Sequence, residues 1–165
     1  MSLLFALLLL QASPVATSPA RPYAVPGEEA VDPYTVEDVN VGAKPFDGDG
    51  MAEAFHGQEG IRRIVDRMVT LSYGDSEIGE IFKGHDKVRL KRTLFEQFCY
   101  ILNASCIYTG RDMVRSHKDL GVHRKDMNRL VELLQQAMRE EGVDFQAQNR
   151  LLSKLAPMHH DIVGR

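Results

Sequence analysis

The sequence predicts an all-α domain, on the basis of three features of its last two-thirds. Apolar residues recur at helical spacing in four stretches, at residues 61–69, 90–101, 127–138 and 151–162. Residues typical of helix ends separate these stretches: Asp86 and Asp144 are expected N-caps, and Gly142 is expected to end the third helix. There is little of the alternation that marks β-strands. We therefore predict a helical domain of roughly 110 residues with four main helices.

The overall composition excludes several classes of protein. The 165 residues are 44% apolar and 26% charged, and the formal net charge is -3. These values are typical of a folded domain and not of a disordered or membrane-spanning chain. They also give no electrostatic reason to expect a nucleic-acid partner.

The first third of the chain has a different character. Residues 3–10 form an almost unbroken apolar run that is followed by small residues and prolines. The run is shorter than the about 20 residues of a transmembrane helix but has the length of a signal-peptide core. We therefore expect residues 1–20 to be a signal-like segment. The mature protein would then be periplasmic or secreted and free of the membrane. No basic residue precedes Arg21, so a cytoplasmic protein is the alternative.

Residues 21–53 carry many acids and prolines and show no apolar periodicity. Such a stretch is expected to be a poorly ordered linker, with a partner-binding tail as the alternative. The folded domain is then expected to occupy residues 54–165.

A long insert separates the second and third predicted helices. Residues 103–122 contain one short helical candidate, in which Thr109 and Asp112 have capping-box spacing. Helix connections in bundles usually take about 2 to 8 residues, and longer ones often carry function. His117 lies in this insert among apolar neighbours, an environment that suits an imidazole metal ligand. For each of the six histidines, a surface or capping role is the alternative. His159 and His160 are adjacent, so they are expected to be a surface pair rather than a chelate.

Five short motifs follow one another between residues 54 and 163: HGQEGI at 56–61, FKG at 82–84, YTGRDM at 108–113, SHKDLGV at 116–122 and LAP at 155–157. In order and spacing they resemble the group I truncated globins. The resemblance implies a two-over-two helical sandwich that holds one non-covalent haem b, with His117 as the proximal iron ligand and Phe82 packed on the macrocycle. The other pocket residues that it implies are Met68, Val69, Leu90, Leu94, Phe98, Met113, Val122, Leu130 and Leu134. Arg89 is the best placed residue for a haem propionate, and Arg111 is a second candidate.

The sequence departs from this family on the distal side of the pocket. Val69 occupies the position of the usual distal tyrosine, and Leu90 and Leu94 occupy those of the usual glutamines. Only Thr93 remains as a weak donor. A hydrogen-bond donor stabilises oxygen at such a site by about 1 to 3 kcal/mol. We therefore expect weak discrimination in favour of oxygen over carbon monoxide. His56 also replaces the first of two family glycines, which puts the tight turn there in question.

Cys99 and Cys106 are either a disulfide or two buried free thiols. On one continuous helix they would lie about 10.5 Å apart, too far to bridge. Asn103 and Ser105 indicate that the helix ends between them, and export would favour oxidation. A cysteine pair around this loop is also part of the resemblance to exported-looking truncated globins, which favours the bridge.

These observations favour a haem protein that reversibly binds a diatomic gas: oxygen, carbon monoxide or nitric oxide. Nitric oxide detoxification and peroxidase chemistry usually rely on distal polar groups, so a carrier, sensor or electron-transfer role with an unknown redox partner is preferred over an enzyme. The alternative from another class is a haem-free helical interaction domain with a globin-like fold.

Overall fold

The computed structural model describes residues 25–164, and this part of the chain is helical without any β-strand. The predicted all-α class is confirmed. The elements, in chain order, are a 3-10 helix at Asp38–Val41, α1 at Gly50–Ala54, α2 at Gly57–Gly74, α3 at Gly79–Phe82, α4 at Lys87–Ile101, α5 at Met113–His117, α6 at Arg124–Glu140, α7 at Phe145–Leu155, a 3-10 helix at Ala156–Met158, and α8 at His159–Ile162.

The three longest helices, α2, α4 and α6, correspond to the first three predicted apolar stretches. The fourth stretch, 151–162, was expected to lie on one helix, but it is divided among α7, the 3-10 helix at Ala156–Met158 and α8. Pro157, which has no backbone N–H to continue a helix, lies in this break.

Helix α2 is central because it packs against both α4 and α6, and α7 packs against α6. The apolar face of α2 is buried: Ile61, Ile64 and Val65 are each at most 1% exposed. Burying side chains of this size contributes about 1.5 to 3 kcal/mol each. The stripe on α2 therefore holds the two layers of helices together.

The predicted caps of the long helices are confirmed. The Asp86 carboxylate accepts hydrogen bonds from the amides of Val88 and Arg89, at 2.9 and 3.0 Å. Asp144 accepts from the Ala147 amide at 3.0 Å. Gly142 follows α6 with a φ of 83°, the left-handed conformation expected after a helix end.

The predicted capping box of the short helix is wrong. Helix α5 begins after Asp112, whose side chain accepts from the Arg115 amide at 2.9 Å. Thr109 lies outside the helix, where its hydroxyl donates to the Glu96 carboxylate at 2.7 Å. The spacing of a capping box is present, but a nearby carboxylate offers Thr109 a stronger acceptor.

The turn before α2 forms although His56 replaces a glycine. His56 has a φ of 59° and is followed by Gly57 with a φ of 64°, so both residues are left-handed. Glycine is required at Gly60, where an added Cβ would lie 2.2 Å from the Phe55 carbonyl oxygen. The close approach of α2 to the chain before it therefore depends on Gly60 rather than on position 56.

Residues 25–53, the described part of the predicted linker, are packed against the helices. The sequence had led us to expect a poorly ordered segment here. Val41 is 0% exposed, and its carbonyl accepts from the Gln97 side chain at 2.8 Å. The Phe46 amide donates to the Ile101 carbonyl at 2.8 Å. Isolated apolar residues such as these show no periodicity, so the sequence pattern does not reveal their burial. The signal-like segment and residues 21–24 lie outside the described residues.

The segment that carries His117 is attached to the rest of the domain at both ends. A disulfide joins Cys99 and Cys106, with 5.6 Å between their Cα atoms. Cys99 lies in the last turn of α4 and Cys106 lies beyond its end. The chain turns back between them, where Asn103 and Ser105 adopt positive φ values of 59° and 63°. Beyond α5, the Val122 carbonyl accepts from the Gly164 amide at 2.9 Å. Among the described residues, no helix is both long and apolar enough to cross a membrane.

Candidate functional site: an apolar cavity walled by His117

A cavity of about 1010 Å³ lies between α2, α4, α6 and the segment around α5. This volume is at the upper end of the range for small-molecule and cofactor sites, about 300 to 1,000 Å³. The structure brings all of the residues predicted for the pocket to the wall of this one cavity. They are Met68, Val69, Phe82, Arg89, Leu90, Leu94, Phe98, Met113, His117, Val122, Leu130 and Leu134.

His117 is held in one tautomer by its own helix. Its Nδ1 atom lies 2.8 Å from the Met113 carbonyl oxygen, one turn earlier in α5. A carbonyl can only accept, so Nδ1 carries the proton and Nε2 keeps its lone pair. Burial lowers the pKa of the imidazole, while the hydrogen bond to Met113 acts in the opposite direction. The neutral ring with a free Nε2 is the form that binds a metal.

The wall formed by α2 and the first half of α4 is apolar where the distal residues were predicted. Val69 is 1% exposed, and Leu90 and Leu94 line the same cavity. The polar side chains nearby are committed elsewhere. The Thr93 hydroxyl donates to the Arg89 carbonyl at 3.0 Å. The Gln97 amide group donates to the Val41 carbonyl at 2.8 Å, and its nitrogen lies 3.6 Å from the sulfurs of Met113 and Met158. Neither donor is therefore directed to a ligand in the cavity.

Arg89 places a half-buried guanidinium at the cavity wall, with 18% of its side chain exposed. Its guanidinium lies 3.5 Å from the Glu28 carboxylate and 3.7 Å from that of Asp86. Among the described residues, its Nε is the one buried side-chain nitrogen or oxygen atom without a hydrogen-bond partner. A buried N–H of this kind is costly unless it binds an acceptor. Arg89 thus fits an anionic group placed in the cavity.

Tyr108 lies in the insert and lines the cavity, although the sequence did not indicate it as a pocket residue. Its hydroxyl donates to the Arg111 carbonyl at 2.8 Å, and burial raises its pKa. Gly110 is required next to it, because an added Cβ would lie 2.3 Å from the Tyr108 hydroxyl. The YTG part of the motif therefore shapes the loop that leads to α5.

Several further lining residues were not expected. Glu29, Val31 and Tyr34 come from the predicted linker, where nothing in the sequence pattern indicated contact with a pocket. His159 lines the cavity although it was expected to be half of a surface pair, whereas the side chain of His160 is 76% exposed. Leu155 at the end of α7 and Ile162 at the end of α8 also line the cavity, and both belong to the apolar stretch predicted at residues 151–162.

Comparison with known proteins places the chain in a family. The family model described as bacterial-like globin matches residues 51–164, and the chain belongs to that family. The truncated hemoglobin of Tetrahymena pyriformis in its Fe(III) form is 18% identical, with a TM-score of 0.67 over 70% of this chain and 98% of that one. The 2/2 hemoglobin of Synechococcus sp. PCC 7002, in the cyanomet state and with covalently attached heme, is also 18% identical. Its TM-score is 0.63, with the same coverage.

These likenesses establish the fold, so the predicted two-over-two truncated globin architecture is confirmed. No curated protein sequence matches the chain at a significant level.

Proposed function

We propose that the chain is a haem-binding globin that reversibly binds a diatomic gas at an iron held by His117 Nε2. The observation that carries this proposal is the state of His117. It is a partly buried imidazole on the wall of an apolar cavity, and its other nitrogen is already bonded to the Met113 carbonyl.

The residues of the cavity fit a haem better than a bare metal ion. Among the described residues, no three His, Cys, Asp or Glu side chains cluster as a metal site. A single imidazole suits an iron that brings its in-plane ligands with it, as haem does. Apolar side chains such as Met68, Leu130 and Leu134 suit the faces of the macrocycle. The unpartnered Nε–H of Arg89 suits a propionate carboxylate.

When haem b is bound, its iron would supply the position at which a gas binds. The residues of the chain then determine which gas is favoured. Val69, Leu90 and Leu94 line the distal side and offer no hydrogen-bond donor. Carbon monoxide depends less than oxygen on a hydrogen-bond donor. The absence of a donor therefore weakens carbon monoxide binding less than oxygen binding. A carrier, sensor or electron-transfer role follows more readily than an enzyme that must stabilise developing charge.

The proposal is tested by reconstituting the full chain with haemin and recording the spectrum of the reduced protein with and without carbon monoxide. We expect a five-coordinate spectrum that shifts with carbon monoxide in the wild type and in the control H160A, whose side chain is exposed. In H117A the spectrum should be lost or reduced to that of loosely bound haem.

Two other outcomes would change the proposal. A six-coordinate spectrum without added gas would identify an internal sixth ligand and favour electron transfer. Failure of the wild type to take up stoichiometric haem would overturn the proposal and leave the haem-free interaction domain.

We also propose that the protein is exported. The apolar run at residues 3–10 supports this, as does the Cys99–Cys106 disulfide, because disulfides persist in oxidising compartments. Fractionation of cells that express the full chain, with the mass of the purified product, tests it. A shortened chain outside the cytoplasm is expected, and a full-length chain in the cytoplasm would contradict export.

A further inference from the structure

Residues 25–41, which we call the strap, lie before the part of the chain that the globin family model matches, residues 51–164. The strap is not a detached tail. Three of its residues, Glu29, Val31 and Tyr34, line the cavity that contains His117. A segment from outside the matched domain therefore contributes part of the wall of the proposed haem site.

The strap is attached on one side to the start of α4. The Glu29 amide donates to the Asp86 carboxylate at 2.7 Å. In the other direction, the Arg89 guanidinium donates to the Glu29 carbonyl. Asp86 and Arg89 both line the cavity, so these contacts are made at its edge.

On the opposite side the strap is attached to the loop before α5. The Tyr34 hydroxyl donates to the Thr109 carbonyl at 2.8 Å, and the Arg111 guanidinium donates to the Asp32 carbonyl at 3.0 Å. Arg111 also lies over the Tyr34 ring, 5.1 Å from its centroid. The strap thus spans the edge of the cavity from α4 to the loop that leads to His117.

A buried ion-pair network fixes the strap in place. The Glu28 side chain is 0% exposed, and its carboxylate lies 3.0 Å from an Arg92 nitrogen. Arg92 also binds the Glu96 carboxylate at 3.0 Å, and Glu96 accepts from the Thr109 amide at 2.8 Å. Burial opposes the charge of Arg92, but its hydrogen bonds to Glu28 and Glu96 outweigh that effect and raise its pKa.

The Glu28–Arg92 pair disfavours positions of the strap in which Glu28 stays buried but loses its partner. A carboxylate buried this completely is tolerated only while it is paired. If the strap lifts, Glu28 returns to water and the edge of the cavity opens. If the strap is seated, the pair forms and the edge is covered.

We propose that the strap is a built-in cover over one edge of the haem cavity, locked by the Glu28–Arg92 ion pair, and that it slows the loss of haem. This inference rests on the proposed function. It also couples the cover to the cofactor, because the strap contacts Arg89 and Arg111, the two candidate partners of the haem propionates.

The experiment uses the full chain loaded with haemin and measures transfer of haemin to an excess of a haem-scavenging apoprotein. Hydrogen exchange of residues 25–41 is followed in parallel. The variants are E28Q, which removes the charge, and E28K, which places a cation against Arg92 and Arg89. The control is E132Q, which breaks an ion pair with Arg129 on the surface of α6, where the Glu132 side chain is 61% exposed.

We expect E28K, and to a lesser degree E28Q, to increase exchange in the strap and to accelerate haemin loss about tenfold or more, with E132Q within twofold of the wild type. Faster hydrogen exchange without faster haemin loss would show that the strap does not slow the loss of haem. Unchanged hydrogen exchange in E28K would show that the Glu28–Arg92 pair does not hold the strap in place. Both results leave the proposed function standing, whereas absence of haemin uptake by the wild type overturns the proposed function and the cover with it.

Discussion

At the scale of single residues, the proposed site depends on which hydrogen-bonding groups are already occupied. The His117 Nδ1 is bonded to the Met113 carbonyl, so the ring can offer only Nε2. Thr93 and Gln97 are bonded to backbone carbonyls, so they offer no donor to a ligand. In the proposed site, the proximal side would thus offer a nitrogen to a metal, while the polar groups on the distal side are already bonded within the protein.

The first prediction restores a distal donor. Leu90→Gln places an amide of similar size at the cavity wall. Because a donor stabilises oxygen more than carbon monoxide, oxygen release should slow about tenfold while carbon monoxide release changes little. Flash photolysis and stopped-flow mixing measure both rates. L90M is the control for shape, and equal effects of L90Q on the two gases would contradict the apolar-wall explanation.

The second prediction concerns the left-handed His56. A residue with a side chain is disfavoured in this conformation by about 1 to 2 kcal/mol, whereas glycine adopts it readily. The greater freedom of glycine in the unfolded chain offsets part of this gain, and H56G should on balance raise the free energy of unfolding by about 0.5 to 1 kcal/mol. The lost contact with Glu141 is 3.3 Å long and exposed, and it contributes little. Urea denaturation measures the change, with H56A as the control that should not stabilise; a lower midpoint for H56G would refute the account.

At the scale of elements, Asp75 joins the end of α2 to α6. Its carboxylate lies 2.8 Å from an Arg129 nitrogen and also accepts from the amides of Glu77 and Ile78, at 2.9 and 3.2 Å. The hydrogen bond from Arg129 is the main cause that lowers the pKa of Asp75 below its ordinary value. The junction therefore stabilises the fold while Asp75 is ionised.

The third prediction follows from the sign of this shift. A carboxyl whose pKa is lower in the folded state stabilises the fold above its ordinary pKa, and the contribution is lost as the pH falls through the lower value. Wild type should therefore be more stable than D75N at pH 7, and the difference should shrink in acid and vanish below the folded pKa. Urea midpoints between pH 7 and pH 2.5 test this. A difference that does not depend on pH would show that the charge is not involved.

Elements differ in how far the sequence could predict them. The long helices α2, α4, α6 and α7 could be predicted. Their sequences combine apolar residues at helical spacing, residues typical of helix ends and sufficient length. The strap was not, because its anchors pair residues far apart in the chain: Glu28 and Arg92 are separated by 64 positions, and Tyr34 and Thr109 by 75. Acidic residues without periodicity indicate disorder unless their partners are known. The partners of Glu28 are Arg89 and Arg92 on α4.

At the scale of the whole molecule, the motifs allowed the cavity residues to be named before their geometry was known, because an apolar pocket and a packed core need the same side chains. His159 shows where this reasoning fails. Two adjacent histidines on a helix point in different directions, but the sequence does not indicate which of the two side chains faces the interior of the protein. Here α8 packs against α5, and that tertiary contact places His159 at the cavity.

The fourth prediction concerns the disulfide, which closes a short loop between positions seven apart in the sequence. Closing a loop of this size is expected to stabilise a fold by about 2 to 3 kcal/mol. Adding a dithiol reductant to the haem-free chain should lower the free energy of unfolding by that amount. C99A/C106A should be insensitive to the reductant. An equal response in both proteins would show that the reductant acts elsewhere.

The segment from Cys106 to Val122 is attached at its start by the disulfide and near its end by the Gly164 amide. A segment held at both ends cannot slide along the domain as a rigid unit. Within the segment, Thr109 and Arg111 are also bonded to the strap, so only the part beyond Arg111 can still twist. Any displacement of His117 that accompanies ligand binding is therefore expected to be a rotation of α5, which would change the angle of the imidazole plane more than the position of its nitrogen.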